Sequence, residues 1–161
     1  MDEGVFEDVA VKPFFEELFV EPEIGRTGHF TSLQIGTKRL KILPDRWCIK
    51  PDVGINTASR GARRDLLTVE VKSPRRIPNT DDQFKLAFEM QCMLNTMIDD
   101  NIPVASSFGI LITGFECRSF KMDLEYDATY RMIELSKFYL PRGISDFGVI
   151  QHTITAMMQV K

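Results

Sequence analysis

The chain has 161 residues, 43% hydrophobic and 27% charged, with a formal net charge of −3. That length builds one domain with a real core, and the balance excludes a disordered chain. No apolar run approaches the roughly 18 residues of a membrane helix, and the net negative charge argues against a nucleic-acid binder that relies on bulk basicity. Cys48, Cys92 and Cys117 are odd in number and widely spaced in apolar contexts. They read as reduced thiols of an intracellular protein, and the acidic start Met-Asp-Glu-Gly has no apolar signal core. His29 and His152 have no Cys or His at ligand spacing, so no zinc site is expected.

Charge is unevenly spread. Residues 1–24 carry eight acidic side chains against Lys12 alone, whereas residues 57–76 carry Arg60, Arg63, Arg64, Lys72, Arg75 and Arg76 against Asp65 and Glu70. Residues 1–12 are weakly patterned and read as a loose lead-in. Pro13 suits the first turn of a helix, where its missing N–H costs nothing. Phe14, Phe15, Leu18 and Phe19 form one apolar stripe that Pro22 ends, with Glu16 and Glu17 flanking it. Residues 23–37 read as a glycine-containing loop into a strand. Gly-Arg-Thr-Gly-His lacks the Gly-Lys-Ser/Thr ending of a phosphate loop. Lys-Arg-Leu-Lys-Ile-Leu at 38–43 predicts another strand.

Trp47 to Pro74 is the centre of the chain. Two apolar runs, one with Trp47, Ile49, Val53 and Ile55 and one with Leu67, Val69 and Val71, are joined by roughly ten residues containing Gly54, Asn56, Ser59 and Gly61. They read as a hairpin with a long loop. In the second strand Thr68, Glu70 and Lys72 alternate with the apolar residues, so Glu70 and Lys72 leave one face. A register setting Asp52 beside Glu70 would gather two carboxylates and an ammonium near a sheet end. Close carboxylates resist joint ionisation unless a cation lies between them. A small oxygen-only ligand set suits Mg²⁺ or Mn²⁺, which keeps waters and takes a substrate phosphate. Protonated Lys72 cannot ligate metal, but it can hold a water or offset charge on a pentavalent phosphate. Pro44-Asp45 is a rival aspartate, yet Asp52 has apolar residues on both sides, as a strand end requires. The plainer reading is a surface hairpin with one Glu–Lys pair. Arg60, Arg63, Arg64, Arg75 and Arg76 flank the cluster and could hold a phosphate backbone without reading sequence; their plainer reading is a solvated loop.

Ser73-Pro74 stops the strand, and Thr80 or Asp81 can cap a helix from about Asp82 to Ile98. Phe84, Ala87, Phe88, Gln91, Leu94 and Ile98 fall on one face of it, Gln91 being the odd polar member. Phe108 to Thr113 is a near-continuous apolar run, hence a buried strand. Glu116 to Leu124 reads as an outer strand. Asp127 can cap a helix over 128–139 with Tyr130, Ile133, Leu135 and Phe138 partly apolar. Ser145 or Asp146 starts a last helix whose Met157 and Met158 pack within the domain or on a neighbour.

Pro51-Asp52 followed by Glu70-Val71-Lys72 resembles the core signature of the PD-(D/E)XK nuclease superfamily, the restriction-endonuclease-like fold, and the order of elements resembles it over residues 10–125. The resemblance implies an α/β sandwich, a central mixed β-sheet flanked by helices, and phosphodiester hydrolysis dependent on Mg²⁺ or Mn²⁺. It implies Asp52 and Glu70 as metal ligands, the Val71 carbonyl as a further ligand, and Lys72 as the catalytic lysine. Members often carry a site carboxylate on an N-terminal helix, for which Glu17 is the candidate and Glu16 its alternative. Many carry a glutamine on the helix after the lysine strand, here Gln91 or, alternatively, Gln83. The expectation is one nuclease-like domain over 1–161, cut from a longer chain because the last helix has no stop signal. Its partner is nucleic acid, DNA favoured over RNA, with no membrane and with the C-terminal helix open to a homodimer or an adjoining domain. Two other classes fit the residues: a non-catalytic nucleic-acid- or partner-binding module, and a regulatory domain docking through its last helix.

Overall fold

Among the described residues six strands form one mixed sheet, and their order across it is their order in the chain. The computed structural model describes residues 2–19, 29–35, 50–59, 62–75 and 80–160. The strands are β1 His29–Ile35, β2 Val53–Ser59, β3 Ala62–Lys72, β4 Ser106–Thr113, β5 Glu116–Tyr126 and β6 Thr129–Tyr139. All neighbours are antiparallel except β3 and β4. A parallel pair needs a crossover, and the helix α3, Thr80–Asp99 in chain order, supplies it.

The chain enters through a single helical run: α1 Glu3–Phe6, a π-helical turn Glu7–Val11, and α2 Lys12–Phe19. The acidic lead-in is therefore helix and not loose chain. Asp2 caps it, its carboxylate accepting the Gly4 N–H at 3.4 Å. In the π turn the Lys12 N–H donates to the Glu7 carbonyl. Pro13, with no N–H to give, follows where the ladder is already widened. A 3₁₀ turn, Ile144–Asp146, leads into α4, Phe147–Met158.

Helices cover both sheet faces. On one face Val53, Ile55, Leu67, Val69, Val71, Ile110 and Ile112 meet Phe6, Phe15 and Phe19 of the entry helices and Ala156, Met157 and Val160 at the chain's end. On the other, Leu111, Phe120 and Met122 meet Leu86, Met90 and Leu94 of α3. Gly109 lets α3 seat, since a Cβ there would lie 2.5 Å from Met90 Sδ. The architecture is α/β, a mixed sheet between helices.

The structure departs from four further expectations. The 128–139 segment is strand β6, closed onto β5 by the Tyr126↔Thr129 pair with Ala128 at φ 56°. A bulge opposite Ser119/Phe120 flips the side-chain parity, so Leu135 and Phe138, three apart, face the same core and mimic helical spacing. The hairpin loop is shorter than expected, because β2 continues to Ser59 and β3 begins at Ala62, which puts Asn56 and Ser59 in the strand. The inward face of α3 is the Leu86–Met90–Leu94 stripe with Met93 and Met97, while Phe84 is 73% exposed and Phe88 and Ile98 also face outward. Met158 of α4 is exposed and only Met157 enters the core. The expected strand at 38–43, the rival Asp45, the anchors Trp47 and Ile49, and Arg60 and Arg76 lie outside the described residues.

Candidate active site

Val53 pairs with Val69, so Asp52, one step before β2 begins, lies at the level of Glu70. Beyond that step β3 has lost its β2 partner. Asp52 Oδ2 takes over, accepting the Val71 N–H at 2.8 Å. This hydrogen bond pins the carboxylate beside Glu70 and Lys72. Thr68, Glu70 and Lys72 share the α3 side of β3, and Val69 and Val71 share the other.

Two ammonium groups bracket the carboxylates. Lys72 Nζ lies 2.5 Å from Glu70 Oε1 and 3.6 Å from Asp52 Oδ2, and it donates to the Val71 carbonyl at 3.0 Å. Glu3 Oε1 of α1 is 3.9 Å from the same nitrogen. On the opposite side Lys85 of α3 donates to Glu70 Oε2 and lies 3.8 Å from both Asp52 Oδ1 and Glu89 Oε1. Each oxygen of Glu70 and each oxygen of Asp52 thus faces a different lysine. Glu70 is 1% exposed, the Lys72 side chain 6% and the Lys85 side chain 33%.

Burial and the neighbouring Asp52 push the Glu70 carboxyl above its ordinary value against the pull of Lys72 and Lys85. Burial alone would lower both lysines, but the facing carboxylates outweigh it and raise them, so both remain ammonium groups. Glu89 is fully buried, accepts the Thr68 hydroxyl at 2.6 Å through Oε2, and leaves Oε1 without a hydrogen bond. Desolvation raises its carboxyl to about 7, despite Thr68 and Lys85. Glu7, on the π turn, has a buried Oε1 without a hydrogen bond and is raised by burial and then by Asp52.

Asp52, Glu70, Lys72 and the Val71 carbonyl converge. Other expected members do not join them. Glu16 and Glu17 are exposed on α2, and the acids that approach from the N-terminal helices are Glu3 and Glu7. Gln91 is half-buried on α3, two residues past Glu89 and so about 200° around the helix from it. Gln83 accepts from Arg118 at 3.3 Å. The arginines are divided. Arg64 pairs with Asp100 at 3.1 Å and stands six residues before Glu70, about 20 Å along the strand. Arg63 shares that end of β3 in sequence, and Arg75 is exposed just past Lys72. The sequence pattern does not single out Lys85 or Glu89, and it shows Thr68 only as a polar residue alternating with the valines. An inward stripe of Leu86, Met90 and Leu94 would have placed Lys85 and Glu89, four apart, along its edge.

Among the described residues no group of three or more His, Cys, Asp or Glu side chains is arranged to hold a metal. The donor set around Glu70 is instead two carboxylates and a carbonyl, with ammonium groups between them. Comparison with family models, curated proteins and solved structures finds no match for the chain.

Proposed function

We propose that the chain is a divalent-metal-dependent nuclease that hydrolyses phosphodiester bonds, with DNA its favoured substrate, on a restriction-endonuclease-like sandwich. The observation that carries this reading is the pair Asp52 and Glu70 bridged on both sides by cationic nitrogen. Carboxylates set to share positive charge are what Mg²⁺ or Mn²⁺ needs, and oxygen-only donors match those ions. Asp52 and Glu70 would hold the cation, with the Val71 carbonyl beside them. Bound there, the cation would polarise the phosphate and lower the pKa of its water. Lys72, fixed by Glu70 and the Val71 carbonyl, would orient the attacking water and meet the charge that grows on the phosphate. Glu3 and Glu7 would supply the carboxylate from the N-terminal helix in place of Glu17. Arg75, exposed past Lys72, is the described arginine best placed for the backbone.

The test is cleavage of plasmid and labelled oligonucleotides with Mn²⁺, against EDTA controls. Metal-dependent cutting that Lys72→Ala abolishes is expected. Wild-type protein that cuts nothing, or Lys72→Ala that cuts equally well, would end the reading. A second reading, a binding module without catalysis, draws on the same two lysines, because the carboxylates are already neutralised without metal. It predicts no heat of Mn²⁺ binding in calorimetry and no loss of nucleic-acid binding in Asp52→Ala.

A further inference from the structure

We infer, resting on the metal reading above, that Lys85 is an exchangeable group: it neutralises Asp52 and Glu70 in the metal-free protein, is displaced by the incoming divalent cation, and then binds the substrate phosphate. Both Glu70 oxygens already face ammonium groups, so a divalent cation arriving at Glu70 meets two like charges, and its binding is favoured when one nitrogen withdraws. Lys72 cannot withdraw readily. It closes β3, paired with Thr113 of β4, is nearly enclosed, and has the Glu70 carboxylate and the Val71 carbonyl as acceptors within 3.0 Å. Lys85 can. Its side chain is one-third exposed, it enters from α3 and not from the sheet, and apart from Glu70 its carboxylate neighbours stand 3.8 Å away.

Displacement would not send Lys85 far. Its Cα stays on α3, and Glu89, one helical turn on, keeps a buried carboxylate 3.8 Å from the ammonium. Because the Lys85 side chain is already one-third exposed, the swung-out group would stay beside the carboxylate pair on its solvent side, within reach of an arriving phosphate. A flexible ammonium is a suitable point charge for that contact. The two lysines then differ in role: Lys72 is fixed beside the water, and Lys85 moves between carboxylate and phosphate.

The experiment titrates Mn²⁺ by calorimetry into wild type, Lys85→Met and Lys85→Gln, and measures KM and kcat for an oligonucleotide at saturating Mn²⁺. The glutamine variant stands in if the methionine variant does not fold. Removing the competing ammonium should tighten Mn²⁺ about tenfold while KM rises severalfold, and Lys85→Arg should restore KM. A merely structural lysine would lower the melting temperature without tightening the metal. Unchanged or weaker Mn²⁺ binding in both variants, or an unchanged KM, overturns the inference while the nuclease reading stands. Absence of Mn²⁺ binding in all the proteins overturns both.

Discussion

The two sides of β3 are buried equally and filled differently. Val69 and Val71 are fully enclosed against the entry helices, and Thr68, Glu70 and Lys72, on the α3 side, are at most 5% exposed. The valines need nothing but apolar neighbours. Glu70 and Lys72 are stable there only because Asp52, Lys85 and each other supply opposite charge, and such an arrangement seldom outperforms well-packed apolar side chains. A strand held for stability alone would gain little from these acids and lysines. Perturbed, desolvated ionisable groups gathered at one strand end are what the proposed metal chemistry would use.

Replacing the charged side should disturb the protein most. Glu70→Leu leaves Lys72 buried with the Val71 carbonyl and the more distant carboxylates of Asp52 and Glu3, and should cost about 3–5 kcal/mol in urea melts. The triple variant Glu70→Leu, Lys72→Met, Lys85→Met should recover most of that loss while failing to bind Mn²⁺. A triple variant as unstable as the single one would mean that the cluster holds the fold together and is not kept for chemistry. Val71→Ala on the opposite side should cost about 2 kcal/mol through lost burial and a small cavity. It should leave the Mn²⁺ affinity where it was.

Proton binding also distinguishes the two sides of β3. Glu89 ionises near 4.5 when unfolded and near 7 when folded. Between those values the folded state holds the extra proton, so stability is greatest below about 4.5 and falls as pH rises to about 7. The loss is at most about 3 kcal/mol, at 1.36 kcal/mol per unit. Glu70 and Glu7, both raised, act with the same sign. Urea melts in EDTA at pH 5 and pH 8 should therefore show the wild type weaker at pH 8. Glu89→Gln should remove most of the difference, because an amide still accepts the Thr68 hydroxyl and never ionises. An undiminished slope in that variant would place the titration elsewhere.

The alternation in Leu67 to Lys72 made β3 and its charged face legible, and Phe108 to Thr113 did the same for β4. Asp52 beside Glu70 was legible as well, because each carboxylate sits near the end of an apolar run and one register joins the two runs. The α3 contribution was hidden by composition. Phe84 and Phe88 are more hydrophobic than methionine, so the sequence pattern favours an outward face and leaves Lys85 and Glu89 unmarked. β6 was hidden by a bulge, which turned a period of two into a spacing of three at Leu135 and Phe138. Glu17 and Glu7 lie on the same helical run, and only the π turn and the packing of Phe6 and Phe15 decide which acid approaches Asp52.

The smallest effect tests the two ends of β3 and not its two sides. Arg64 is held by Asp100 at the far end, both partly exposed, and such a pair contributes under about 1 kcal/mol. Arg75 stands at the end where Asp52 and Glu70 meet. If substrate contacts the chain only around the carboxylates, Arg75→Ala should raise KM severalfold and flatten its salt dependence, because a phosphate contact releases counterions. Arg64→Ala should change kcat/KM by less than about twofold, since about 20 Å of strand separates it from Glu70. Steady-state kinetics of both variants at two salt concentrations decide it. Equal losses would mean that nucleic acid runs the length of the strand, and the arginine end would then belong to the site as much as the carboxylate end does.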